Sequence, residues 1–114
     1  MTGGDWKDFY GACISGNFPV VRYHIDHGMN PNYQHPEFEV TALVTAILNE
    51  HTDIAIYLLE NGADPKLRSD FDQLTPEEAA LRRKNVEVLN VLGLRGALTW
   101  RSWTWRIRRR LRDA

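Results

Sequence analysis

Glycine recurs at positions 28, 62 and 96, which are 34 apart, and the recurrence extends well beyond glycine. Gly28-Met29-Asn30-Pro31 lies over Gly62-Ala63-Asp64-Pro65, Asn17 and Asn85 lie over His51, Val20 and Val88 over Ile54, and Tyr23 over Tyr57. A fixed period of this size constrains the fold more tightly than composition does. Each unit is one supersecondary element that cannot bury its apolar side alone and must lean on copies of itself.

The stretch from His51 to Pro65 shows what the unit is. Ile54, Ala55, Leu58 and Leu59 fall at helical spacing and give one apolar stripe, so the segment reads as a helix over Asp53 to Asn61. Asp53 suits the positive end of the helix dipole, Gly62 supplies the left-handed residue that ends the helix, and Pro65 prevents its resumption. Thr41 and Thr75, one period apart, each open an earlier helix; Thr75-Pro76-Glu77-Glu78 has the form of a capping box with proline at the first helical position. Each unit therefore reads as helix, tight turn, helix and a loop carrying glycine and proline. The expected helices run near Lys7 to Ser15, Pro19 to His27, Thr41 to Asn49, Asp53 to Asn61, Pro76 to Arg83 and Val86 to Leu94. Ala12, Ala46 and Ala80 share one phase of the first helices, where neighbouring units must approach closely.

The chain resembles the ankyrin repeat over about residues 5 to 97. Thr41-Ala-Leu-Val-Thr-Ala-Ile and Thr75-Pro-Glu-Glu-Ala-Ala stand where that family has its T-P-L-H-x-A signature, and Asp53-Ile-Ala-Ile-Tyr-Leu-Leu-Glu-Asn-Gly-Ala-Asp-Pro nearly copies its second helix and following turn. The resemblance implies an all-α solenoid of three helix-turn-helix units, approximately 5–38, 39–72 and 73–97, within a domain covering 1–97. Residues 98–114 would then form an additional C-terminal amphipathic basic segment. The chain departs from the family pattern in three ways. Val44 and Glu78 occupy the place of the signature histidine, each finger loop is one residue longer, and Glu39 and Gln73 fall near the place of the finger glycine. Trp6, Phe9 and Tyr10 suit an N-terminal cap whose rings close the core.

Family members usually bind protein partners through the fingers and first helices. Carried over by position, the partner-binding residues are Tyr33, His35, Glu37, Phe38 and Glu39 in the first finger, Arg68, Asp70, Phe71 and Asp72 in the second, and Asn49, Arg82 and Arg83 on the first helices. Tyr33, Phe38 and Phe71 are the kind of ring that anchors interfaces. The alternative for each is packing into its own loop to hold its shape. The acids beside them suggest a partner with a basic surface. Charge and size suggest a setting as an inhibitor or immunity-type protein that plugs a basic active site.

Charge is unevenly placed. Residues 1–94 hold 7 Lys/Arg against 14 Asp/Glu, whereas residues 95–114 hold 7 arginines against Asp113 alone. On a helix Trp100, Trp103, Ile107 and Leu111 would share an arc, with Arg106, Arg109 and other arginines around it, while Trp105 is the misfit. A strand reading also survives, because Trp103, Trp105 and Ile107 alternate with polar residues. Four roles suit Trp100, Trp103, Trp105, Arg106, Arg109 and Arg110: a terminal cap for the stack, an anionic-membrane surface helix, a nucleic-acid tether, or a segment folded back on the acidic body.

Other functions find little footing. The four histidines lack metal-ligand spacing, and the chain implies no cofactor. Cys13 is the single cysteine, which excludes an internal disulfide, and nothing around it suggests an activated thiol. No phosphate-cradling loop or nucleophile beside a base is present, so an enzyme is not expected. With 43% apolar and 25% charged residues the chain suits a globular domain. No run approaches the roughly 18 apolar residues that cross a bilayer, and the N-terminus lacks the build of a signal peptide, so the expected location is cytoplasmic.

Overall fold

Three helix pairs succeed one another, each turned through a residue in the left-handed region. The computed structural model describes residues 5–96, with side chains as far as Gly93. The elements are α1 (Asp5–Ser15), α2 (Phe18–Asp26), α3 (Ala42–Leu48), α4 (Thr52–Glu60), α5 (Pro76–Arg82) and α6 (Val86–Gly96). Among the described residues the only bridge of strand type joins Ser69 to Leu74. The all-α repeat architecture expected from the period is therefore what the chain adopts.

Starts are set by side chains that satisfy the first free amides. Thr41 Oγ1 accepts from the Val44 N–H at 3.2 Å, and Thr75 Oγ1 accepts from Glu78 N–H at 3.2 Å while Glu78 Oε1 accepts from Thr75 N–H at 3.0 Å. The latter is the expected capping box. Asn17 and Asn85 likewise cap α2 and α6 through Val20 N–H and Val88 N–H. His51, at the same phase, makes no such bond to its own helix. Its Nε2 instead donates across to the Ile14 carbonyl of the preceding unit at 2.8 Å.

Ends are set by backbone. Gly28 and Gly62 have φ of +93° and +98°, and the next amides, Met29 and Ala63, bond back to His24 and Leu58 carbonyls, each at 2.9 Å. This closes α2 and α4 in Schellman fashion and buries Met29 and Ala63. Gly96 does not act this way, because α6 continues to it rather than stopping near Leu94. Pro31 and Pro65 stand shortly after the first two glycines, but Thr99 holds the corresponding place after Gly96, so the element that forbids continuation is missing.

The tight turn inside each unit is equally regular. Gly16, Glu50 and Lys84, at successive periods, have φ of 84°, 62° and 55°, and the next residues, Asn17, His51 and Asn85, bond to Ala12, Ala46 and Ala80 carbonyls at 2.9 to 3.0 Å. Two of three turns thus hold a side chain in a region costing L-residues roughly 1 kcal/mol. The first cannot: a Cβ on Gly16 would lie 2.7 Å from the His51 ring.

Stacking then places α1, α3 and α5 in one layer and α2, α4 and α6 in another, α3 packing on both α1 and α5. Ala12, Ala46 and Ala80 are all buried, as close approach of the first helices requires, and Val21, Ile47, Ile54, Leu58 and Val88 fill the core between the layers. Polar bonds cross each junction. Besides His51 to Ile14, Asn85 Nδ2 donates to Thr52 Oγ1 at 2.8 Å, and the Asn32 amide spans the gap between loops, donating to Gly62 O at 3.0 Å and accepting from Asp64 N–H at 2.7 Å.

Candidate functional site

The two fingers lie at residues 33–40 and 67–74, one after each of the first two second helices. Their turns share a left-handed residue, Glu39 with φ 52° and Gln73 with φ 54°, so the positions near the family's glycine keep its conformation without glycine. The closures differ. In the second finger Ser69 N–H donates to Leu74 O at 2.9 Å, and Leu74 N–H returns to Ser69 O at 3.4 Å, a small hairpin. In the first finger the amides of Phe38 and Glu39 both turn back on the His35 carbonyl, at 3.2 and 2.7 Å.

Side chains complete the first finger. The Trp6 ring lies on His35, with centroids 4.0 Å apart and planes at 27°, and tilts against Phe38 at 5.4 Å. His35 Nδ1 accepts from Glu37 N–H at 3.1 Å, and the ring sits 5.4 Å from Phe38. Tyr10 is buried with its hydroxyl directed at the carbonyls of Tyr33 and Val40. Tyr10 stands one period before Val44, so a phenol supplies to the first finger what the signature histidine would supply elsewhere. Burial pushes its pKa up, and the neighbouring Cys13 and Tyr33 add to this, so it stays a neutral donor.

The second finger has another donor set, because Val44 and Glu78 offer no equivalent. Fully buried Ser69 accepts from the buried Thr41 N–H at 3.2 Å and donates to Asp72 Oδ2 at 2.8 Å. The fingers are also tied to one another: Phe71 N–H donates to Glu39 O at 3.0 Å.

Between the fingers and the first helices runs a groove of about 430 Å³. Trp6, Lys7, Tyr10, Gly11 and Ile14 of α1 form one wall, Val40 and Thr45 the floor side, and Phe38 with Phe71 the other wall. Ile14, Phe38 and Phe71 remain 54%, 50% and 72% exposed, a contiguous apolar surface of the kind that marks interaction sites. Each finger phenylalanine is flanked in sequence by two carboxylates, Glu37 and Glu39 or Asp70 and Asp72, while Lys7 is the cation in the lining.

Of the residues singled out from sequence, Phe38 and Phe71 line this groove. His35 and Tyr33 are half-buried and serve the first finger's own structure. Glu37, Glu39 and Asp70 are exposed, and Asp72 is bound to Ser69. Arg68 is exposed and close enough to act electrostatically on Glu78. Asn49, Arg82 and Arg83 are exposed but outside the groove lining; the Asn49 amide donates to the Thr45 carbonyl of its own helix at 2.8 Å. Trp100, Trp103, Trp105, Arg106, Arg109 and Arg110 lie outside the described residues. Sequence reasoning missed Lys7, Gly11, Ile14, Val40 and Thr45 as groove residues and placed Trp6 and Tyr10 only in the N-terminal cap. A signal existed in the register, since Gly11 and Thr45 are one period apart and leave room above the floor.

No group of three or more His, Cys, Asp or Glu able to hold a metal occurs among the described residues. His24 Nε2 is instead paired with Asp8 Oδ2 at 2.7 Å, and burial pushes the Cys13 thiol up to about 12, which leaves it without thiolate character at neutral pH. No helix among the described residues is long and apolar enough to cross a membrane.

Residues 9–98 match the model for ankyrin repeats in three copies. Similar proteins include the Saccharomyces cerevisiae protein named as a probable 26S proteasome regulatory subunit, p28, 30% identical over 87% of this chain and 46% of its own length. Two fowlpox virus proteins named as putative ankyrin repeat proteins are also similar: FPV222, 39% identical over 49% of this chain and 7% of its own, and FPV014, 31% identical over 71% and 18%. The chain thus spans less than half the length of these relatives. The repeat register, the helix-pair stack and the family match together establish that the chain belongs to the ankyrin-repeat family, a protein-binding module.

Proposed function

We propose that the groove between α1 and the two fingers is where a protein partner docks, presenting an apolar side chain flanked by basic residues. The observation that carries this is Phe71. It is a large ring 72% exposed at the wall of an apolar groove, it stacks on no other ring among the described residues, and its backbone is fixed by the bond to Glu39. A rigidly mounted exposed aromatic loses little freedom on binding and gains the area of its whole face. The carboxylates on either side of Phe38 and Phe71 select a basic partner and speed the encounter at low salt. An acidic rim around the groove suits an inhibitor or immunity-type role, occluding a basic active site. The name of the yeast relative points to a related use, docking onto a larger assembly.

The reading is tested by comparing partner capture by the wild-type chain, by Phe71→Ala, and by the quadruple change Glu37→Gln, Glu39→Gln, Asp70→Asn, Asp72→Asn. Loss of a hot-spot ring lowers affinity by about tenfold or more. Neutralising the acids flattens the dependence of capture on salt. A partner set that neither variant alters would remove the groove from consideration.

A further inference from the structure

The end of the described stack carries a face built to be covered. Three register positions show it. Cys13 and Ile47 are fully buried, but Leu81, at the same place in the third unit, is 56% exposed. Phe9 and Leu43 are buried, but Glu77 is exposed. Phe18 meets Tyr57 of the next unit at 5.0 Å between centroids, and Thr52 receives the Asn85 amide of the next unit, but Val86 is 65% exposed. The first unit covers these positions with no unit before it, and the third exposes them although a unit precedes it. They therefore face onward, in the direction in which the stack would grow.

The chain beyond α6 is not another unit of the same kind. In register, residues 109–114 stand where Thr75–Ala80 form the capped start of α5, yet they read Arg-Arg-Leu-Arg-Asp-Ala, with no capping threonine or proline. Apolar residues instead come early, at Trp103 and Ile107 where a repeat would have its finger and at Trp100 just before it. Gly96 is itself within α6, unlike Gly28 and Gly62, which lie just after α2 and α4.

We propose that residues 97–114 cover this end face directly, setting Trp100, Trp103 and Ile107 against Leu81 and Val86 and turning arginines toward Glu77, Glu78 and Glu87. Reach permits it. Leu81 and Val86 lie at the turn end of the third unit, about 15 Å back along α6 from Gly96, and residues 97–114 wound as a helix span about 27 Å. The carboxylates Glu77, Glu78 and Glu87 are exposed here, as are Arg82, Arg83 and Lys84 in the turn between Leu81 and Val86, so the segment's six arginines have partners only on the carboxylate side and must be turned away from the turn. The segment is tethered beside the face, so its effective concentration there exceeds that of any free competitor. This inference is independent of the groove reading, since the two surfaces are on different units.

The test uses the full chain with an environment-sensitive, tryptophan-quenched fluorophore on Leu81→Cys, the buried Cys13 being shielded from the label. Strong quenching that is independent of protein concentration, and that falls when Trp100→Phe and Trp103→Phe are combined, is the expected result. The same label on Phe71→Cys should show no quenching that depends on those two tryptophans. As a second readout, Leu81→Asp in the unlabelled chain should lower the melting temperature by about 4 °C or more, although an exposed side chain would ordinarily tolerate it. Quenching that disappears on dilution would show a second copy's tail on this face and overturn the proposal. So would its absence at Leu81→Cys, or its appearance at Phe71→Cys instead.

Discussion

From Tyr33 to Val40 the chain is held by rings: Trp6 on His35, Phe38 beside both, and Tyr10 pointing its hydroxyl at two carbonyls. From Leu67 to Leu74 it is held by its own backbone, through the paired bonds of Ser69 and Leu74, and by one small hydroxyl. Both fingers have the same length and share a left-handed residue at the same place, but only the second closes as a hairpin, and the consequence reaches beyond shape. It lies in which side chains remain for a partner. The first finger uses most of its aromatic surface internally and leaves Phe38 half exposed, while the second needs none of Phe71 and leaves it 72% exposed. A loop stabilised through its backbone keeps its side chains for recognition.

Substitutions at the two closures put that contrast to work. Trp6→Ala removes the platform under His35 and Phe38; we expect a loss of about 2 to 3 kcal/mol, below the range for a fully buried tryptophan because Trp6 is only partly buried. Denaturant unfolding measures it, and amide exchange should quicken across residues 33–40 before it does across 67–74. Ser69→Ala reverses the pattern. It strands the buried Thr41 N–H at a cost of about 1 to 2 kcal/mol, and exchange should quicken in the second finger and at the start of α3. If either substitution loosened both fingers equally, the bond between Phe71 and Glu39, not the separate closures, would be the controlling contact.

Gln73→Gly and Glu39→Gly relieve a left-handed side chain while loosening the unfolded chain, so each should change stability by less than about 1 kcal/mol. Near equality of the two in thermal melts is the expected outcome. The exits of the fingers differ in a further, smaller way. Thr75 N–H is held by the Glu78 carboxylate, whereas the corresponding Thr41 N–H is held by a hydroxyl. Donation from the Thr75 backbone is the main reason Glu78 stays below the ordinary glutamate value, with Arg68 and Arg82 contributing. A carboxyl lowered on folding adds stability above its unfolded value and loses it as pH falls through the folded one. Acidification below about 4.5 should therefore weaken the start of α5 and spare that of α3. The check is the pH dependence of melting in wild type and Glu78→Gln, which should converge in acid.

The stack was legible in the sequence because its signals are local and repeated. Thr41 and Thr75 cap where expected, Gly28 and Gly62 end helices, and the alanines at 12, 46 and 80 are buried. α6 ran past its predicted end because Thr99 stands in place of the proline that would stop it. The groove was half legible. Phe38 and Phe71 were found, but nothing local distinguishes a finger aromatic that packs inward from one that does not. That choice depends on Trp6, distant in sequence, reaching His35. Tyr10 could have been read as the hydroxyl that replaces the signature histidine, since it stands one period before Val44. The partner of His51 could not have been read, because it is a backbone carbonyl in another unit.

The Asn32 amide, gripping Gly62 O and Asp64 N–H on the loop of the next unit, acts as a mechanical stop. It fixes the spacing of the two loops at their bases, while the Phe71 amide and Glu39 carbonyl fix it at the finger tips. Two clasps at separate points remove the rocking freedom that one would leave. The two fingers are thereby joined into one wall of the groove, and a partner meets Phe38 and Phe71 at a separation already set.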